Sequence, residues 1–367
     1  MKRATNSRAA PRVRSAKPAA AAPSSTRAQF LAPYPPSEFD RFTAWVDRLP
    51  IPPWLAYALM ALVPVTLAAA LRVTGAVDRG GDYTDFLTAI QPSLAFCFMH
   101  YIDRMAGAAL DATRSLLHNA DDDTQALRYR LTTLPASSVR WAIVVGAGLS
   151  LLVGTGFSEF FVSGSLTPFA RGAATVLGVI NNTLFPIFVV HSFHQLWVIN
   201  DLLTRRVRVD LFHIRPLYAF SNVTAVTAVT WILFGAGWFL LSQPTGVGVG
   251  VQIIWTAFDA VLAAIIFLSP LWGVHRVLVQ RKGEALAEVA RRKQTAYANF
   301  HLLLDQRRTP AIDTGHKALV VLEMEAADVN RIPTWPWSPG TPRGLLAAVL
   351  LPITVWLIQF GLGRVLQ

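Results

Sequence analysis

Ionisable and amide side chains inside apolar runs are where chemistry could sit, because such groups are costly in lipid and persist there for a reason. Asp259 lies near the middle of an apolar run over residues 251–274. A carboxyl at that depth suits a proton relay or a cation site, and it equally suits a hydrogen bond that holds two helices together. Glu159 stands near one end of the run over 141–162, where it can reach the interface and pair with Arg171. Asn181 and Asn182 lie within the run over 173–198. Ala174, Gly178 and Asn182 make a small-residue stripe at four-residue spacing, and Gly146, Ser150 and Gly154 make another. Such stripes let helix backbones approach closely, so packing competes with a solute path as the reason for these residues.

Three histidines fall near corresponding ends of their runs: His100, then His191 and His194 with Gln195 beside them. Imidazoles at one depth could ligate a metal or haem. His191 and His194 are, however, about 300° apart around a helix, and no carboxylate motif accompanies them. The expectation is interfacial histidines satisfied by water, with no metal and no cofactor.

Enzyme signatures do not appear. The sequence contains no Gly-x-x-x-x-Gly-Lys-Ser/Thr, no His-Glu-x-x-His and no Gly-x-Ser-x-Gly. The glycine run from Gly246 to Gly250 is placed in a short loop between apolar runs. Asp121, Asp122 and Asp123 read as carboxylates gathered at a helix N-terminus, where the backbone dipole favours them, rather than as a cation site.

The elements that must carry these residues are membrane helices. The chain has 367 residues, 53% of them hydrophobic, with a net charge of +11 and a mean hydropathy of +0.40. Apolar runs of about twenty residues match the length of a helix crossing the hydrocarbon core, and the alternating pattern of barrel strands is absent. Seven spans are expected, over 54–71, 86–101, 141–162, 173–198, 218–241, 251–274 and 344–362. The run over 86–101 is the weakest, because it holds Gln91, Ser93 and His100. With seven spans and an inner N-terminus, 29 of the 33 Lys/Arg fall on the inner side. Deleting the second span would put Arg205, Arg206, Arg208 and the whole 274–343 excursion outside, against the positive-inside tendency. The expected fold class is therefore all-α, a polytopic helical membrane protein with its N-terminus cytoplasmic and its C-terminus outside.

Residues 1–36 form a basic tail that cannot bury enough surface to order itself. An Arg- and Ser-rich start also matches an organelle transit peptide; the reading adopted is a cytoplasmic tail drawn to anionic lipid headgroups. Residues 37–49 place Phe39, Phe42, Val46 and Leu49 at helical spacing before Pro50, Pro52 and Pro53. They read as an amphipathic helix in the interface, or as a fragment packed on the loops. Residues 54–274 make a six-span bundle. The single cysteine, Cys97, excludes an intrachain disulfide. The 28 Arg against 5 Lys fit a GC-rich bacterial genome and thus a bacterial inner membrane.

Residues 275–331 continue the sixth span as charged helix. Leu286, Val289, Phe300 and Leu303 repeat at three-four spacing, interrupted by Lys293, and after Pro310 so do Leu319, Leu322, Ala326 and Val329. Two such stripes with a short connection predict an antiparallel hairpin, coiled-coil-like, whose first arm reaches roughly 35–40 Å below the membrane. Its basic residues are balanced by Glu284, Glu288, Glu323, Glu325 and Asp328, which argues against nucleic acid. Residues 332–343 form a Pro/Trp collar, extended because Pro333, Pro336, Pro339 and Pro342 forbid helix. Trp335 and Trp337 suit the headgroup level as interface anchors. Residues 344–367 hold the last span and a short outer tail.

The run from Arg331 through Ile-Pro-Thr-Trp-Pro-Trp to Gly344, with the stretch from Val209 to Ser221, resembles a group of bacterial multi-pass membrane proteins without assigned function. The similarity covers mainly the last 160 residues and implies architecture, not chemistry. Two functions follow from the residues themselves. One is signalling or scaffolding through the cytoplasmic hairpin, with a cytoplasmic protein partner or self-association. The other is a cation- or proton-coupled transporter or channel using Asp259, Asn181 and Asn182, weakened by the scarcity of intramembrane charge and the lack of an inverted repeat. The topology has a direct check: a reporter fused at Pro310 is expected to report the cytoplasm, and an external signal would overturn the seven-span reading.

Overall fold

The computed structural model describes residues 32–78, 84–117, 124–152, 165–207, 210–241, 249–306, 309–338, 340–350 and 354. These belong to one compact unit, Ala32–Gln367. Residues 1–31, Asp121 to Asp123, Glu159 and most of the expected last span lie outside the described residues.

The fold is all-α. In chain order the helices are α1 (Glu38–Val46), α2 (Pro53–Val73), α3 (Thr84–Thr113), α4 (Thr124–Thr132), α5 (Ala136–Leu152), α6 (Pro168–Arg205), α7 (Tyr218–Leu241), α8 (Val249–Asp305) and α9 (Thr309–Arg331). A two-residue antiparallel pairing, Val77 with Leu166 and Asp78 with Ser165, ties the loop after α2 to the loop before α6. The starts follow from capping chemistry. Thr167 accepts from the Ala170 N–H at 3.3 Å, and Pro168 fills the first helical position, where a missing N–H costs nothing. Ser37 and Asp40 form a reciprocal capping box at α1.

Among the described residues, four stretches are long and apolar enough to cross a membrane: Pro53–Val73, Pro168–Arg205, Arg215–Gly235 and Ala257–Asp305. Ala136–Leu151 is a shorter apolar helix. Val63, Val145, Leu151, Val176 and Val261 are exposed, while His100, His191 and Gln195 are buried. Large aliphatic side chains turned outward over polar groups turned inward are the arrangement lipid selects. The chain is a membrane protein.

The sequence pattern places separate helices at 86–101 and 103–117. The structure instead makes them one thirty-residue helix, α3. Asp103 and Arg104 break the apolar run but not the backbone, since no Pro or Gly follows before Gly107. Likewise α8 runs unbroken for 57 residues through Pro270 and Gly283.

Neighbour relations follow from specific contacts. Arg72 meets Asp85 with two nitrogens, at 2.7 and 2.5 Å, and Tyr57 meets His100 at 2.9 Å, so α2 and α3 run antiparallel. Asn181 donates to the Thr88 carbonyl at 2.9 Å, and His191 meets Asp103 at 2.9 Å, so α3 and α6 run parallel. Buried hydroxyls on α7 need no outside partner: Thr224, Thr227 and Thr230 donate back to the Ser221, Val223 and Val226 carbonyls. The deepest core lies toward one end, among Ile102, Leu110, Leu131, Ile199, Leu202 and Phe220.

The backbones of α5 and α6 approach closely at Gly146. A Cβ at Gly146 would stand 2.5 Å from both the Asn182 carbonyl oxygen and the Thr183 Cα. The small-residue stripe is therefore a packing seam at this point. Gly146→Ala should destabilise the protein by about 1–3 kcal/mol, read as a lower Tm in detergent. Gly148→Ala, with nothing within 4 Å of its new Cβ, should leave Tm level or raise it through helix propensity. Equal effects of the two variants would contradict the seam.

Candidate functional site

Helix spacing creates the site. His100 and Asp103 are three residues apart on α3, and His191 and Gln195 four apart on α6, so each pair shares a helix face. Because α3 and α6 run parallel, the two faces meet. His191 Nε2 lies 2.9 Å from Asp103 Oδ1, and the Gln195 amide donates to the same oxygen at 3.0 Å. That amide also donates to the Leu131 carbonyl at 3.3 Å, binding α4 into the cluster. Two acceptors on one nitrogen fix the amide orientation. His191 is 3% exposed, Gln195 1% and Asp103 9%. Burial pushes the Asp103 carboxyl up from its ordinary value, with His191 pulling it back down.

The other two histidines have their own partners. His100 Nδ1 lies 2.9 Å from the Tyr57 hydroxyl, and its Nε2 lies 3.2 Å from Asp47 Oδ2. His194 Nε2 donates to the Arg130 carbonyl at 3.0 Å. Their expected hydration is therefore corrected: His100 and His191 are buried, and all three imidazoles are held by protein groups. Two carboxylates outside any sequence motif lie against these imidazoles, Asp47 at His100 and Asp103 at His191. Among the described residues, no group of three His, Cys, Asp or Glu side chains is placed to hold a metal ion.

The segment from Tyr34 to Asp47 covers the cluster. Tyr34 donates to the Thr133 carbonyl at 2.8 Å, and Tyr129 donates to the Tyr34 carbonyl at 2.7 Å. Burial pushes the Tyr34 phenol up to about 12. Asp40 Oδ2 takes three donors: the Ser37 N–H at 2.9 Å, the Ser37 hydroxyl at 2.6 Å and the Leu134 N–H at 3.1 Å. Burial raises the Asp40 carboxyl even so. Phe39 stacks on Phe96 and sets its ring against His191 at 5.9 Å. Thus α1 buries Phe39 and Val46 against the bundle and leaves Trp45 exposed.

The remaining candidates lie elsewhere. Asn181 spends its amide on the Thr88 and Leu177 carbonyls, and Asn182 lends its backbone to the Gly146 seam. Asp259 sits against α7 at Gly235, where any Cβ would overlap its carboxylate. Glu159 is outside the described residues. On α8 and α9, Val289, Leu319 and Val329 are buried, Leu286, Leu303 and Leu322 half-buried. Phe300 and Leu303 lie against Gly315. Trp335 stacks on Trp337 at 4.4 Å and on His275 at 3.9 Å, and Trp337 stacks on Phe267 at 5.5 Å.

Sequence reasoning missed Asp103, Asp47, Tyr57, Phe39 and Tyr34 as parts of one cluster. The i,i+3 and i,i+4 spacings on two helices were the available signal; which helices face each other was not. Fold and site together define an α-helical membrane protein with a buried His–Asp–Gln cluster near one end of its bundle. No family model, curated protein or solved structure matches the chain.

Removing the shared acceptor tests the cluster. Asp103→Ala strands two buried donors and should cost about 1–3 kcal/mol, seen as a lower Tm in detergent. Asp103→Asn keeps a carbonyl acceptor and should cost less. No loss from the alanine variant would show that the cluster does not join the helices.

Proposed function

We propose that the chain is a scaffolding or signalling protein of the bacterial inner membrane, working through a cytoplasmic hairpin made by the later part of α8 with α9. The reading takes seven spans, an inner N-terminus and an outer C-terminus, supported by the Lys/Arg bias across the apolar runs. The basic tail over 1–36 faces anionic lipid, and Trp335 and Trp337 mark the headgroup level.

Support comes from how α9 meets α8. Lys282 donates to the Asn330 and Ile332 carbonyls at 2.8 and 2.9 Å, Arg292 approaches Glu325 at 3.8 Å, and Phe300 lies against Gly315. Rising numbers on one helix pair with falling numbers on the other, which is antiparallel contact. Arg291 and Arg292 both hydrogen-bond Glu288 and hold its carboxyl down to about 2.

The observation that carries the proposal is a second apolar face on α9. Leu319 and Val329 turn into the contact with α8, whereas Val321 and Met324 are each 62% exposed, with Val320 beside them. An apolar patch on a helix standing clear of lipid is a place for another protein. The partner is either a soluble cytoplasmic protein or a second copy. Transport is the less supported reading, because Asn181 is committed to backbone carbonyls and Asp259 fills a notch in a neighbouring helix.

Crosslinking from Ala327 in the native cell tests the proposal. The wild type should yield a crosslinked adduct, and the double variant Val321→Asp, Met324→Asp should lose it while inserting and melting as before. An adduct that survives the double variant would sink the idea.

A further inference from the structure

The outward face of α8 carries an open groove of about 330 Å³, lined by Val261, Ala264, Ile265, Leu268, Ser269 and Trp272, with no polar atom in its wall. These residues recur every three or four positions and so form one stripe along the helix. From Val261 to Trp272 the stripe is about 16 Å long at 1.5 Å per residue. That is close to half of a hydrocarbon core about 30 Å thick, the depth of a single leaflet. Four residues beyond Trp272 on the same stripe stands Arg276, exposed, its guanidinium 5.9 Å over the Trp272 ring. Its neighbours on α8 are engaged: Arg281 with Glu284, Arg291 and Arg292 with Glu288, and Lys282 with two carbonyls. Among the described residues, no carboxylate pairs with Arg276.

The depth of Arg276 is marked twice. Trp272 meets Trp335 edge-on at 5.8 Å, and Trp335 in turn stacks on His275 and Trp337. Indole rings collect in this way at the level of lipid headgroups. At α6, Arg130 lies over Trp197 at 5.8 Å. Trp197 is one turn from Asn200, and a Cβ at Gly273 would stand 3.1 Å from Asn200 Oδ1. The two Arg–Trp pairs therefore lie within about two turns of each other along the bundle.

We infer that this stripe is a binding site for one phospholipid of net negative charge, with an acyl chain in the groove and the headgroup phosphate on Arg276. The reading is independent of the hairpin and its partner. Attraction to the indole face holds the guanidinium in place, and its N–H edge matches two phosphate oxygens at once. Because no carboxylate pairs with Arg276, a headgroup ammonium finds no counter-charge there, which selects lipids that lack one. The groove decides the source of the phosphate. An inorganic ion leaves it unfilled, whereas a chain one leaflet long occupies it from Trp272 to Val261. Lipid tails are as apolar as the groove, so the groove contributes shape and position, and the choice among lipids falls to Arg276.

Native mass spectrometry of the full chain in detergent, titrated with phosphatidylglycerol and separately with phosphatidylcholine, tests the site. The wild type should retain one phosphatidylglycerol and hold phosphatidylcholine about tenfold more weakly. Arg276→Gln should weaken phosphatidylglycerol by about tenfold and erase the preference. Arg281→Gln, which removes a charge already paired with Glu284, should change neither lipid. Ala264→Phe fills the groove and should weaken both. Equal retention of the two lipids by the wild type, a preference that survives Arg276→Gln, or an equal loss in Arg281→Gln would overturn the proposal. Unchanged binding in Ala264→Phe, or displacement of the lipid by inorganic phosphate, would overturn the acyl groove. A doubled protein mass without lipid, lost in Ala264→Phe, would give the groove to a second copy instead. If Ala264→Phe does not stay monodisperse by size exclusion, unchanged binding in Ser269→Phe overturns the groove in its place.

Discussion

A buried carboxylate persists only while donors surround it, and in this protein both donors come from α6, across from the helix that carries the carboxylate. Asp103 takes one from His191 and one from Gln195, and Gln195 passes a second hydrogen bond to the Leu131 carbonyl. Three elements, α3, α6 and α4, are thereby joined through the Gln195 amide nitrogen. The parallel course of α3 and α6 places these groups opposite each other, and the seal formed by residues 34–47 keeps water from competing for them. Much of one end of the bundle follows from satisfying this one buried carboxyl.

The parts legible in the sequence are those whose cause is local. The helix start at Ser37 follows from capping residues, and the continuation of α8 beyond the apolar run follows from the lack of any proline between Pro270 and Pro310. The stripe through Gly146 was legible as a seam, because small residues at that spacing have a packing use. The division of α3 into two helices was a misreading of charge as a break: Asp103 and Arg104 end the apolar run, yet the backbone has no reason to stop there. The histidine partners were illegible for a different reason. His191 and Asp103 are 88 residues apart, and nothing in either helix alone says that the other will lie beside it.

The connection after α9 shows a third kind of determinant. Pro333 and Pro336 keep it non-helical as far as Ser338, whereas the backbone is helical from Gly340 through Pro342, against the expectation of an extended stretch to 343. The non-helical part is nonetheless far from loose. His275 donates to the Thr334 carbonyl at 3.0 Å, and the ring sequence His275, Trp335, Trp337, Phe267 stacks continuously along α8. Composition announces the extended backbone; the aromatic ladder that fastens it depends on where α8 presents Phe267 and His275, two turns apart on one face. Lys282 adds a donor to the Asn330 carbonyl in the last turn of α9 and to the Ile332 carbonyl just beyond it.

The 57 residues of α8 make one rod about 85 Å long. A rod clamped at Phe267 and His275, with roughly half its length beyond the clamp, is a mechanical lever. A tilt of about 5° on one side of that fulcrum carries the far tip through roughly 4 Å, enough to separate two packed side chains. Gly283 lies within this arm, and the helix runs through it unbroken. The apolar first part of α8 and its charged second part therefore share one continuous backbone, and a displacement of either is carried to the other.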